Sequence, residues 1–179
     1  MRDEPEPPSL IRFPLTAAAP VPIGRQSEPH VVQIVSSLLA ESDHAVGALP
    51  SRDEYGEDGR LSVDGQPYTV QVTGVPQAPD FWRRVAAEGS ATTSATLNEL
   101  SAWLSDAIES KLRAIQPSER PNTIIALDAH GWADQVLHPN VLANLSSSGL
   151  NPAQGLGLAG IAITGAGTSN STWFPGRIS

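Results

Sequence analysis

The sequence predicts an α/β domain, close to the α+β border, built on a small mixed central sheet with helices on both sides. Two alternating runs around Asp64-Gly65 read as an antiparallel hairpin over residues 58 to 73. Two longer segments carry apolar residues at three- and four-residue steps, as helices lying on a sheet do. The short all-apolar run Thr123 to Leu127 reads as a buried strand. Antiparallel neighbours followed by a helical crossover give the mixed sheet.

Taken in order, the first 29 residues hold seven of the sixteen prolines. Missing donors and fixed φ angles argue for an extended arm rather than a helix or a central strand. Its apolar patch, Leu10, Ile11, Phe13 and Leu15, is read as packing on its own domain, with docking onto another chain as the alternative. Residues 30–179 form a single globular domain. Val31, Ile34, Val35, Leu38 and Leu39 fall on one face of a helix from Glu28 to Ser42. An extended stretch around Ala45 to Leu49 precedes the hairpin.

Asp64-Gly65 suits a two-residue type I′ turn, since both central residues need positive φ. Counting outward pairs Val63 with Gln66, Leu61 with Tyr68 and Asp58 with Gln71. Alternation puts Gln71 and Thr73 on one face and Tyr68, Val70 and Val72 on the other. Asp80 is positioned to cap a short helix, Phe81 to Glu88, that Gly89 ends. The box Thr96-x-x-Glu99 opens the main sheet-covering helix, whose stripe runs Leu97, Leu100, Trp103, Leu104, Ala107, Ile108, Lys111, Leu112 and Ile115. Gln116 to Pro121 breaks it. Trp132 to Leu145 is a weaker helix interrupted at Pro139, Ser146 to Gln154 a loop, and Gly157 to Thr164 a strand. The aromatic tail Thr172 to Pro175 closes over the core.

At 179 residues the chain can bury roughly two thirds of its unfolded surface without a staple. It has no cysteine, which excludes disulfides and thiolate metal sites. No apolar run approaches a membrane span, and Met-Arg-Asp-Glu-Pro-Glu-Pro-Pro lacks the basic start and apolar core of a signal peptide, so a cytoplasmic protein with no membrane contact is expected. The net charge of −8, with Lys111 the only lysine, disfavours a broad electrostatic grip on nucleic acid. Any nucleic-acid role must then be local, metal-bridged or carried by a partner. From Glu41 to Asp64 seven acidic residues meet two arginines, so negative charge gathers where the hairpin opens, either solvated or collecting a cation.

The order helix, three strands, helix, strand over residues 28 to 128 resembles the core of the PD-(D/E)XK, restriction-endonuclease-like, nuclease superfamily. The positions that match are Asp58 on the second strand, Gln71-Val72-Thr73 on the third, across the hairpin, and Glu41 upstream on the helix. Gln71 stands where the family has its second acidic ligand, and Thr73 where it has its lysine. The resemblance implies a restriction-endonuclease-like core, Mg²⁺ held by Glu41, Asp58 and Gln71, and catalytic roles for Asp58, Gln71 and Thr73. Carboxylate oxygens suit Mg²⁺; Gln71 adds a neutral carbonyl oxygen, and Thr73 a hydroxyl that can position a water.

Other constellations carry less. Asp128, His130, Asp134 and His138 supply N and O donors within eleven residues, but their spacing fixes no third ligand. Such residues more often serve loops and caps, as lone His30 and His44 do. Gly155-x-Gly157-x-x-Gly160 lacks the strand before and helix after that a dinucleotide needs. Arg83 and Arg84 read as a solvated helix face.

Two functions follow. One is a divergent metal-dependent nuclease acting on a nucleic-acid phosphodiester. The alternative is a catalytically inactive module on the same scaffold, binding a protein partner or a second copy through the arm or through exposed tryptophans.

Overall fold

The structure, a computed structural model, describes residues 12–18, 28–52, 56–75, 79–129, 132–146 and 151–179. Its centre is a six-stranded mixed sheet in the order β2, β3, β4, β6, β7, β8: Val46–Ala48, Gly59–Val63, Gln66–Gly74, Thr123–Asp128, Gly160–Thr164 and Thr172–Pro175. The β2–β3, β3–β4 and β7–β8 pairs are antiparallel, and β4–β6 and β6–β7 are parallel. A separate antiparallel pair joins β1 (Phe13–Ala18) to β5 (Ser90–Ala95).

The hairpin register is the one the turn dictates, with Val63 opposite Gln66 and Leu61 opposite Tyr68. Asp64 and Gly65 have φ of 51° and 80°, the double positive that a type I′ turn requires. Counting back from Gly59–Val70 leaves Asp58, just outside β3, across from Gln71.

Alternation along the central strands then sorts the core into two layers. Helix α1 (Glu28–Glu41) sets Val31, Ile34, Val35, Leu38 and Leu39 against Leu61, Val63, Val70, Val72, Ile124 and Ala126. On the opposite face, α3 (Leu97–Ala114) sets Leu100, Leu104, Ala107 and Ile108 against Ile125, Leu127, Ile161 and Ile163. α3 opens with the expected capping box: Thr96 Oγ1 accepts from the Glu99 N–H at 3.2 Å, and Glu99 Oε2 from the Thr96 N–H at 2.7 Å.

Several sequence expectations need amending. Ser90–Ala95, which carries no strand pattern in the sequence, is a strand; its partner is the arm itself, whose Leu15 is buried on this domain. Arg12 fastens that pairing through Ser94 and Glu99. Leu10 and Ile11 lie outside the described residues. The aromatic tail closes on the core as an edge strand, β8: Phe174 packs on one layer and Trp173 on the other, where a Cβ at Gly160 would come within 2.0 Å of the Trp173 ring. Asp80 is inside α2 (Pro79–Glu88), bonded to Arg83, rather than capping it. Pro139 splits the weaker helix into α4 (Ala133–Val136) and α5 (Pro139–Leu145), as its missing N–H dictates. A short helix, α6 (Pro152–Gly155), replaces part of the expected loop. Among the described residues, no helix is long and apolar enough to cross a membrane.

Candidate functional site

Gln71 and Thr73 leave the sheet on the α3 face, because their neighbours Val70 and Val72 are committed to α1. Asp58 meets them from the mouth of the hairpin. It sits one residue before the ladder begins, and its Oδ2 accepts the Val72 N–H at 2.7 Å, which anchors its carboxylate to β4.

The third component comes from α3. Lys111 continues the sheet-facing stripe of Leu104, Ala107 and Ile108, so its stem runs along the covered face while its ammonium reaches beyond the apolar layer. Its Nζ donates to Asp58 Oδ2 at 3.2 Å and to Gln71 Oε1 at 3.3 Å. A carboxylate, an amide oxygen and an ammonium, drawn from three elements, converge. The lysine and the aspartate are 23% and 19% exposed, so the group is shielded yet reachable. Asp58 Oδ1 has no hydrogen-bond partner among the described residues.

Sequence reading missed Lys111 as a site residue, and a signal was available. A lone lysine on the buried stripe of an amphipathic helix is out of place unless something polar receives it. Thr73 lies two positions beyond Gln71 on the same strand face and is 9% exposed. Glu41 is not brought into the group. It is exposed at the end of α1, on the layer that covers the other side of the sheet, whereas Gln71 faces α3. Among the described residues no set of three or more His, Asp or Glu side chains could hold a metal ion.

An open cavity of about 310 Å³ adjoins Gln71, walled by Arg52, Glu57 and Thr69 on one side and Ile115 and Glu119 on the other. Of the three converging residues, Gln71 is the one that lines this cavity, beside the carboxy-terminal end of α3.

The competing residues have structural duties. His44 Nδ1 lies 2.7 Å from Asp64 Oδ2 at the turn. His138 Nδ1 accepts the Asn140 N–H at 3.2 Å and caps α5, while His130 lies outside the described residues. Arg83 pairs with Asp80 on the exposed side of α2. The glycine motif at 155–160 has α6 before it and β7 after it, the reverse of a dinucleotide turn.

No protein-family model, no curated protein and no solved structure matches this chain.

Proposed function

We propose that the protein is a divergent, metal-dependent nuclease-like enzyme acting on a nucleic-acid phosphodiester. One observation carries the reading: Lys111 Nζ lies 3.2 Å from Asp58 Oδ2 and 3.3 Å from Gln71 Oε1. An ammonium beside these two oxygens is the kind of group the reading needs, since Thr73 offers only a hydroxyl. The element order, one helix, β2, β3, β4, then α3 and β6, with α2 and β5 inserted ahead of α3, also supports a restriction-endonuclease-like core.

The donor set suits a hard cation. Asp58 Oδ1 and Gln71 Oε1 are oxygens with one negative charge between them, and Mg²⁺ is commonly held by one or two carboxylates, with waters and substrate phosphate completing its shell. When bound there it would polarise the phosphate and favour hydroxide.

The rest of the chemistry falls to the chain. Water adds to phosphorus, one ester P–O bond breaks, and the leaving oxygen takes up a proton to give an alcohol and a phosphomonoester. Lys111 is placed to donate to the phosphoryl oxygens as their charge grows. Asp58 orients that ammonium, and Gln71 holds its other side. The net charge of −8 disfavours a broad electrostatic grip, so this reading relies on local, metal-bridged contact with nucleic acid.

The inactive-module reading is favoured by the same contact viewed differently, since an ammonium between the two oxygens already satisfies them without a ligand. Its proposed tryptophan surface has less support among the described side chains: Trp132 is buried, and Trp103 and Trp173 pack on the two core layers.

Calorimetric titration of Mg²⁺ and Mn²⁺ into the parent protein and the Asp58→Ala variant, with plasmid and single-strand cleavage run on the same samples, separates the two. Binding and cleavage that both vanish in the variant support the enzyme. A parent that neither binds metal nor cleaves leaves the inactive module.

A further inference from the structure

We propose that Glu57 is a positioning residue for the candidate site, tying Arg52 and its own backbone to β4 so that the Gly56 carbonyl and the Asp58 carboxylate are presented to Gln71 and Lys111. Its catalytic consequence rests on the nuclease reading; its structural half does not.

Glu57 lies outside any strand, yet its side chain is only 4% exposed. A buried carboxylate is costly unless it is paired and hydrogen-bonded. This one is. Its oxygens accept the Arg52 N–H at 3.1 Å, the Arg52 Nε at 3.2 Å, the Arg52 Nη2, and the Thr69 hydroxyl at 2.9 Å. The first three donors join Arg52 to Glu57, and the fourth fastens Glu57 to β4.

Three consecutive residues thus dock on β4 beyond the end of the β3 ladder. Gly56 O accepts from Gln71 Nε2 at 3.0 Å, Glu57 from Thr69, and Asp58 from the Val72 N–H. The first contact decides which way the Gln71 amide faces. A carbonyl only accepts and an ammonium only donates, so Nε2 must point to Gly56 and Oε1 to Lys111. Without Glu57 the Gly56 carbonyl is no longer held, and the amide loses the partner that orients it. Glu57, Thr69 and Gln71 line the same cavity, so the fastening also forms the wall beside which a substrate would enter.

The test compares Glu57→Ala, the conservative Glu57→Gln, and the Thr69→Val and Thr69→Ser pair. Thr69→Val removes only the anchor to β4 and serves if Glu57→Ala does not fold. The first readout is exchange of the Gln71 side-chain NH2 protons by NMR, with the signal identified by its loss in Gln71→Glu. Exchange about tenfold faster in Glu57→Ala and Thr69→Val, restored in Thr69→Ser, is the expected result. Unchanged exchange in a folded Glu57→Ala or Thr69→Val overturns the proposal.

The second readout is cleavage. A kcat about tenfold lower with KM unchanged is expected in Glu57→Ala, with partial recovery in Glu57→Gln. Cleavage that depends on Asp58 but is indifferent to Glu57 overturns the positioning role and leaves the nuclease reading standing. If the parent cleaves nothing, the nuclease reading falls and amide exchange alone decides whether Glu57 orients Gln71.

Discussion

The two ends of the β3–β4 hairpin each carry an aspartate, and the two are used in opposite ways. At the turn, Asp64 is spent locally: Oδ1 accepts the Ala45 N–H at 2.9 Å, Oδ2 meets His44 at 2.7 Å, and the side chain is 55% exposed. At the mouth, Asp58 gives one oxygen to the Val72 N–H and to a lysine 53 residues away, has no partner for the other among the described residues, and is 19% exposed. A carboxylate whose two oxygens are taken by its neighbours ties down a turn. One that keeps an oxygen, in partial shelter, beside a cation delivered by a distant helix can do chemistry. The difference lies in what the third dimension brings, since β-strand pairing alone treats both aspartates as hairpin ends.

The largest expected effect breaks this contrast directly. Asp58→Ala and Lys111→Met should each lower phosphodiester cleavage about 100-fold or more, or about 2.7 kcal/mol of transition-state stabilisation, while Asp64→Ala changes it less than about twofold. Parallel assays of the three variants decide it; equal losses in Asp58→Ala and Asp64→Ala would mean that both act through hairpin stability. Lys111→Arg should recover little, because a planar guanidinium cannot reproduce a point charge held between two oxygens.

Next in size are two glycines, one at each end. A Cβ at Gly59 would stand 2.5 Å from Val32 Cγ2 on α1, so Gly59→Ala should cost about 1–3 kcal/mol through overpacking. Because Gly59 adjoins Asp58, cleavage should fall with stability. At the turn, a Cβ on Gly65 meets nothing within 4 Å, but φ is +80°. Gly65→Ala should therefore cost only about 1 kcal/mol, from backbone conformation, and leave cleavage unchanged. Urea midpoints set beside cleavage rates test both; a Gly59→Ala variant as stable as the parent would show that Val32 moves aside freely.

The turn end was the legible one. Asp64-Gly65 has a local conformational demand, and once it is met the register, the face of every strand residue and the opposition of Asp58 to Gln71 follow by counting. The Thr96–Glu99 box and the Thr123–Asp128 strand were legible for the same reason: their patterns are local. The β1–β5 pair was hidden because Ser90–Ala95 carries only small and hydroxyl side chains, and its partner lies more than seventy residues earlier. Lys111 was read as part of a stripe, which it is, yet its partners are set by how far α3 runs past the apolar layer. Glu41 was drawn into the site by its place in the sequence, whereas the sheet separates its layer from that of Gln71.

The smallest expected effect is on acid stability, and it too distinguishes the ends. The Arg52 side chain, aided by Thr69, holds the Glu57 carboxyl below its ordinary value of 4.5. His44, with the Ala45 N–H, holds Asp64 below 3.8. A carboxyl lowered in the folded state binds its proton more readily when unfolded, so its contribution is complete above the unfolded value and drains away as pH falls through the folded one. Stability should therefore decline with acidification below about pH 4.5, and Glu57→Gln should flatten that decline. Asp64→Asn should flatten it less, beginning lower, and its share should shrink in added salt because its side chain is 55% exposed and screened. Urea midpoints measured across the acid range at two ionic strengths read both slopes. If Glu57→Gln kept the parent's slope while Asp64→Asn lost it, the ion pair at the mouth would be the weaker of the two, and the sheltering that sets Asp58 apart from Asp64 would have to be sought in Lys111 alone.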